Sequence, residues 1–272
     1  MKRALVSSLA LLLWIGCFAG SQASAQAWKQ IQIPKLPAFK PAKPKRIQLS
    51  NGMVIFLQED HELPLIDGTA RIRGGEHRVP ASKVGMMDVY GEVWRTGGTK
   101  TQTGDQLDDF LEQRAAKVET AGVGDSTTIS FSCLKEDFAD VFRAFDDVLR
   151  NPEFREDKIE IAKKAGYDAI SRRNDEPSQI AQREAAKLVY GATSPYARVP
   201  EYATIAAITR QDLIDWHQKY VHPSNIIFGI VGDFETAKME AKLREVFESW
   251  PGGTAIKNEV FEPHPAAPGY YL

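Results

Sequence analysis

VGMMDVYGEVWRTGGT, residues 84–99, sets the frame for the chain on either side of it. Met86, Val89, Tyr90 and Val93 fall at i, i+3, i+4 and i+7, the apolar face of a helix running from Gly85 to about Trp94. Gly97-Gly98 ends it. Asp88 and Glu92 stand four apart on another face; like charges at that spacing cost a helix about 0.2–0.5 kcal/mol, which an exposed face tolerates. This helix is embedded between strand signals, and that makes the chain α+β.

Upstream, Asn51-Gly52 favours a tight turn between strands Ile47–Leu49 and Met53–Gln58. A third strand, Leu65–Arg73, ends at Gly74-Gly75 and turns Arg71 and Arg73 to one solvent face. Downstream, Thr103 or Asp105 caps a helix to about Ala116. Val118–Ala121 and Thr127–Cys133 read as paired strands around Gly122–Asp125, which has no helix start behind it and so is a turn, not a phosphate loop. Asp137–Arg150 is an amphipathic helix with Phe138, Val141, Phe142, Phe145 and Leu149 inward, stopped by Asn151-Pro152. Helices follow at Phe154–Asn174 and Ser178–Leu188, then a loop at Tyr190–Tyr196. Thr209 with Asp212 signals a capping box for a helix to Lys219, with His217 and His222 placed as surface or capping groups. Asn225–Val231 is a buried strand, and Thr236–Trp250 is the last helix. Hairpins and helices mix without a regular βαβ rhythm, which predicts a mainly antiparallel sheet with helices packed on it.

The first 25 residues read as a signal peptide. Lys2-Arg3 is the basic start, Ala4–Phe18 the apolar run, and Ala23-Ser24-Ala25 a cleavage site before Gln26. Export to a periplasm or the extracellular space follows, with no stable membrane span after cleavage after Ala25. Residues 26–46, spaced with Pro and Lys, form an extended leader; 47–254 form the domain; 255–272 form a Pro- and Gly-rich linker. The formal net charge of −2 argues against nucleic acid, which wants a basic face. Cleavage leaves one thiol, Cys133, on the inward face of its strand with Ile129 and Phe131, as a buried and inert side chain.

The 84–99 frame resembles the first motif of the insulinase–pitrilysin family of zinc peptidases, the inverzincins. So, in order, do LSNGMVIFLQED (49–60), ARIRGG (70–75), GDSTTISFSCL (124–134), SRRNDEPSQIAQREAAKLVYGATSPYAR (171–198) and ITRQDLIDWHQKYVHPSNIIFGIVGDF (208–234). The resemblance covers about residues 45–253. It implies one half of a two-domain clamshell, completed by the chain's own second half or by a catalytically competent insulinase-family subunit.

The family's chemistry is not carried over with its frame. Its His-x-x-Glu-His aims two imidazoles at one zinc ion while the glutamate activates water. Those five positions read Asp88, Val89, Tyr90, Gly91 and Glu92 here, and the third-ligand position reads Ala169, beside Asp168. Gly91 at the base position has no side chain to polarise water. None of the five histidines, His61, His77, His217, His222 and His264, forms a pair four apart. No cofactor is expected on this reading. Asp88, Glu92 and Asp168 remain as an alternative oxygen-ligand site for Ca²⁺, Mg²⁺ or Mn²⁺. The resemblance also implies that an extended peptide pairs with the edge strand at Val118, Glu119, Thr120 and Ala121. The leading expectation is therefore a non-catalytic, exported, peptide-binding partner of an active zinc peptidase. The alternatives are an active zinc metalloendopeptidase with unusual ligands and a peptide-binding scaffold without a protease partner.

Overall fold

The computed structural model describes residues 34–36, 38, 40–257, 267 and 269. Residues 1–25, read above as a signal peptide, lie outside them, as do most of residues 255–272, read as a linker. The chain divides into two units, Met1–Ala42 and Lys43–Leu272. The described residues of the first have no regular secondary structure.

The second unit is built on a six-stranded mixed sheet of β1 (Lys45–Gln48), β2 (Val54–Glu59), β3 (Leu65–Arg73), β4 (Lys117–Val123), β5 (Ser126–Leu134) and β6 (Ile226–Gly232). Their spatial order is β1-β2-β6-β3-β5-β4. All neighbours are antiparallel except β2 and β6. The last strand thus inserts between β2 and β3, and β4 forms an edge. Along β3, Ile66, Ala70 and Ile72 are buried while Asp67, Thr69, Arg71 and Arg73 are exposed, the alternation of a sheet with one covered face.

Among the described residues eight α-helices accompany it: α1 (Met86–Thr96), α2 (Gly104–Glu112), α3 (Phe138–Arg150), α4 (Glu156–Arg172), α5 (Pro177–Tyr190), α6 (Tyr202–Ala206), α7 (Arg210–Tyr220) and α8 (Thr236–Phe247). The apolar stripes place the core. Phe142 and Phe145 of α3 meet Phe131 of β5, Phe228 of β6 and Phe247 of α8, with Phe145 stacked on Phe228 at 5.4 Å between ring centroids. The expected Met86, Val89, Tyr90, Val93 face of α1 is buried throughout.

Several boundaries differ from the sequence reading, each for a local reason. α2 stops at Glu112, short of Ala116, because Ala115 turns left-handed (φ 48°) and the Ala116 N–H bonds back to the Leu111 carbonyl at 3.0 Å. α4 starts at Glu156; Phe154 has φ 48° and buries its ring instead of joining the helix. α8 ends at Phe247 rather than Trp250, where the Asn51 side chain donates to the carbonyls of Phe247 (2.6 Å) and Trp250 (2.9 Å). The single-turn α6 had no signal beyond its capping pair, Glu201 and Thr204.

Among the described residues no helix is long and apolar enough to cross a membrane. Phe145→Ala removes a ring with no solvent exposure from the centre of the aromatic core. A loss of about 3–5 kcal/mol is expected, read as a lower denaturant midpoint by circular dichroism.

Candidate functional site

α1 positions the site. Its start is held from outside the helix: the Glu76 carboxylate accepts the Gly85 N–H at 3.0 Å. Its inner face is anchored by Trp94, whose Nε1–H donates to the Val148 carbonyl (2.8 Å), and by Tyr90, whose hydroxyl bonds His217 Nδ1 (2.9 Å). That leaves Asp88 and Glu92 facing a cleft of about 1150 Å³ bounded by α1, α4, α5 and the loop before α6.

Asp88, Glu92 and Ala169 line this one cleft, so the three positions assigned by resemblance to metal ligands come together. Asp168 is exposed on α4 and does not line it. Two carboxylates and a methyl group do not fit a zinc ion, which the family holds with imidazoles and a carboxylate. Among the described residues no group of three or more His, Cys, Asp or Glu side chains is placed to hold a metal.

Gly91 faces the other way, onto β4. A Cβ on Gly91 would lie 2.5 Å from the Gly122 nitrogen and 3.0 Å from Ala121 backbone atoms. A Cβ on Gly122 would lie 2.6 Å from the Met87 carbonyl oxygen. Helix and edge strand therefore meet backbone to backbone, a distance only glycine permits. The Thr120 hydroxyl donates to the Gly91 carbonyl at 2.5 Å and fastens the contact. Within β4, Val118 is buried, Glu119 lies 3.6 Å from Arg95, and Ala121 is exposed. β4 hydrogen-bonds along one side to β5, and its other side is the sheet edge.

The electrostatics of the cleft are set by burial. Asp88 is open to water at the cleft mouth, yet the surrounding protein raises its carboxyl above the usual range by desolvation. Glu76 is raised for the same reason first, with Asp88 adding to it, while the Gly85 N–H and Arg198 pull it back.

His217 is not a surface group: it is 8% exposed, packed against Tyr90, Trp94 and Phe154, and burial pushes its imidazole down to about 3. His222 is also buried, with Nδ1 on the Gly252 carbonyl at 3.0 Å. Their partners lie far away in sequence, so the residues beside them carried no signal. Cys133 is buried and its thiol is raised to about 12 by desolvation, which leaves it unreactive. Nor did sequence reasoning single out Glu76 as the cap of α1 or Gly122 as its contact; Gly122 sits in a strand, not in a turn.

Two family models match: "Insulinase (Peptidase family M16)" over residues 96–194 and "Peptidase M16 inactive domain" over residues 207–271. The first match begins where α1 ends, so residues 88–92 lie outside it. The non-peptidase homologue YmxG of Helicobacter pylori is 22% identical over 264 residues, covering 96% of this chain and 56% of that protein. The peptidase M16 inactive domain from Pseudomonas fluorescens superimposes with a TM-score of 0.74 at 20% identity, covering 82% of this chain and 54% of that one. The first half of the periplasmic protease PqqL from Escherichia coli gives 0.70 at 18% identity, covering 82% and 49%. The chain thus spans about half the length of these relatives. It belongs to the insulinase family, and its fold is that of one half-domain of the family.

Two tests follow from this geometry. Gly91→Glu, which puts a glutamate where the resemblance places the family's base, drives a side chain into the β4 backbone. It is expected to lower stability by about 1–3 kcal/mol or more, seen as a reduced melting temperature. His217, depressed in the folded state, contributes stability that is complete above about pH 6.5 and is lost as pH falls toward 3, because only the unfolded chain takes up the proton there. At pH 5 the loss is about 2 kcal/mol relative to pH 7. Denaturant titrations at the two pH values should show it, and His217→Gln should reduce the difference.

Proposed function

We propose that this protein is an exported, non-catalytic member of the insulinase family that binds peptides along β4 and over the cleft, as the partner of a zinc-bearing subunit of the same family. The carrying observation is the Gly91–Gly122 contact. At the position where the resemblance puts a general base there is no side chain and no room for one. The cleft positions Asp88, Glu92 and Ala169 point the same way by their chemistry. Support also comes from the Helicobacter relative, described as a non-peptidase homologue, and from the match to an inactive-domain model.

Peptide binding survives the loss of a metal because backbone pairing to a sheet edge needs no particular side chain. We assign that edge to β4, packed beside α1, through Val118, Glu119, Thr120 and Ala121. Export rests on the Ala23-Ser24-Ala25 cleavage pattern, and the E. coli structural relative is described as periplasmic. A partner, or a second half of the same chain, fits the half-domain fold, since the relatives carry about twice the length of chain.

The test is fluorescence anisotropy with labelled extended peptides and the same peptides N-methylated at alternate residues. Methylation removes the donors that a strand partner needs. A loss of about tenfold or more in affinity is expected for one methylation register and little loss for the other. Equal binding of both registers and of the unmethylated peptide contradicts edge-strand pairing.

A further inference from the structure

The sheet face turned away from the aromatic core is open along its middle. There β6 turns Ile227, Gly229 and Val231 outward, and β3, paired to it, turns out Arg71, Thr69 and Asp67. The register sets them in three rows: Ile227 beside Arg71, Gly229 beside Thr69, and Val231 beside Asp67. Ile227 and Val231 are each 40% exposed, and a Cβ on Gly229 would meet nothing within 4 Å. Beyond α8 the described chain passes at the end of these rows, where Arg73 donates to the Ile256 carbonyl at 3.4 Å. Neither Arg71 nor Asp67 has a hydrogen-bond or ion-pair partner among the described residues. Branched apolar side chains in the middle of a sheet, between two unpaired charges of opposite sign, make a surface suited to contact.

The pattern is complementary to itself. An axis lying across the strands, along the Gly229–Thr69 row, exchanges the rows on either side of it. A second copy turned by a twofold rotation about that axis, sheet against sheet, sets Ile227 over Val231 and Arg71 over Asp67, each contact made twice. Phe56 of β2 continues the middle row from Gly229 and meets Phe56 of that copy. Sheets packed face to face lie about 10 Å apart, a gap that an arginine and an aspartate span together. The small residues Gly229 and Thr69 lie opposite themselves and let the flanking side chains close. Arg46 and Glu119 also lie opposite themselves, but on the outermost strands β1 and β4, where water and salt screen them. Glu119 in addition has Arg95 at 3.6 Å.

We propose that this open face is an interface between two copies of the chain, closed by two Arg71–Asp67 ion pairs around an apolar centre of Ile227, Val231 and Phe56. The contact spans β2, β6, β3 and β5, about 19 Å by 17 Å at ordinary strand spacing and rise, which places it among small, reversible interfaces. It leaves the hydrogen-bonding edge of β4 free.

The experiment is sedimentation equilibrium of the full chain at low salt, from about 5 to about 200 µM, the range in which a small reversible contact dissociates. A monomer–dimer equilibrium is expected. Asp67→Arg sets arginine against Arg71 twice, and Arg71→Asp sets aspartate against Asp67 twice. Each variant alone should lose about tenfold or more in self-association, since like charges face each other across the contact. Mixed in equal amounts, the two should form a heterodimer close to the parent in affinity, because each carries the sign that the other lacks. The double variant Asp67→Arg/Arg71→Asp should associate with itself again. Both positions are exposed, so the substitutions disturb no core packing. A chain that stays monomeric throughout, as it would if a different protein covers this face, overturns the proposal. So does a dimer that the single substitutions leave intact, or a mixture that fails to restore it.

Discussion

The contact between α1 and the edge strand β4 is the constraint on which the site depends. Two glycines, Gly91 and Gly122, let the helix backbone approach the strand backbone closer than any side chain would allow, and the Thr120 hydroxyl bonds across the gap. That approach fixes which way the rest of α1 faces. With Gly91 against β4, the residues one position on and three positions back, Glu92 and Asp88, look into the cleft, and Tyr90 and Trp94 look into the core. A backbone contact of this kind has little freedom to adjust, because the atoms that would collide are main chain rather than the ends of flexible side chains.

The core side of α1 reinforces the same orientation. Tyr90 reaches the buried His217 of α7 and Trp94 reaches the Val148 carbonyl of α3, so one helix is pinned to two others by satisfied polar groups. Glu76 holds its N-terminus. The cleft is therefore formed by rigid elements on the α1 side. α5, by contrast, has no fully buried residue and carries Ile180, Val189 and Tyr190 exposed.

Much of the fold was legible because its signals are local. The i, i+3, i+4, i+7 spacing of Met86, Val89, Tyr90 and Val93 marked α1. Alternation marked β3, and the Thr209–Asp212 box marked the start of α7. What depends on distant partners was not legible. β6 reads as a buried strand, but nothing near it says that it pairs parallel to β2 and antiparallel to β3. The end of α8 is set by Asn51, close to the other end of the domain, and His217 is buried by a tyrosine on α1. At the site, Asp88, Glu92 and Ala169, which the resemblance names together, all line one cleft. The resemblance said nothing of Gly122, whose meaning lies in how closely other atoms surround it.

The central claim is that this half-domain keeps the family's frame without its metal chemistry. It is tested most directly by measuring zinc in the purified chain, prepared without chelators, by plasma mass spectrometry. The account predicts a stoichiometry near zero. About one zinc per chain, as an intact metal site of the family would hold, contradicts it.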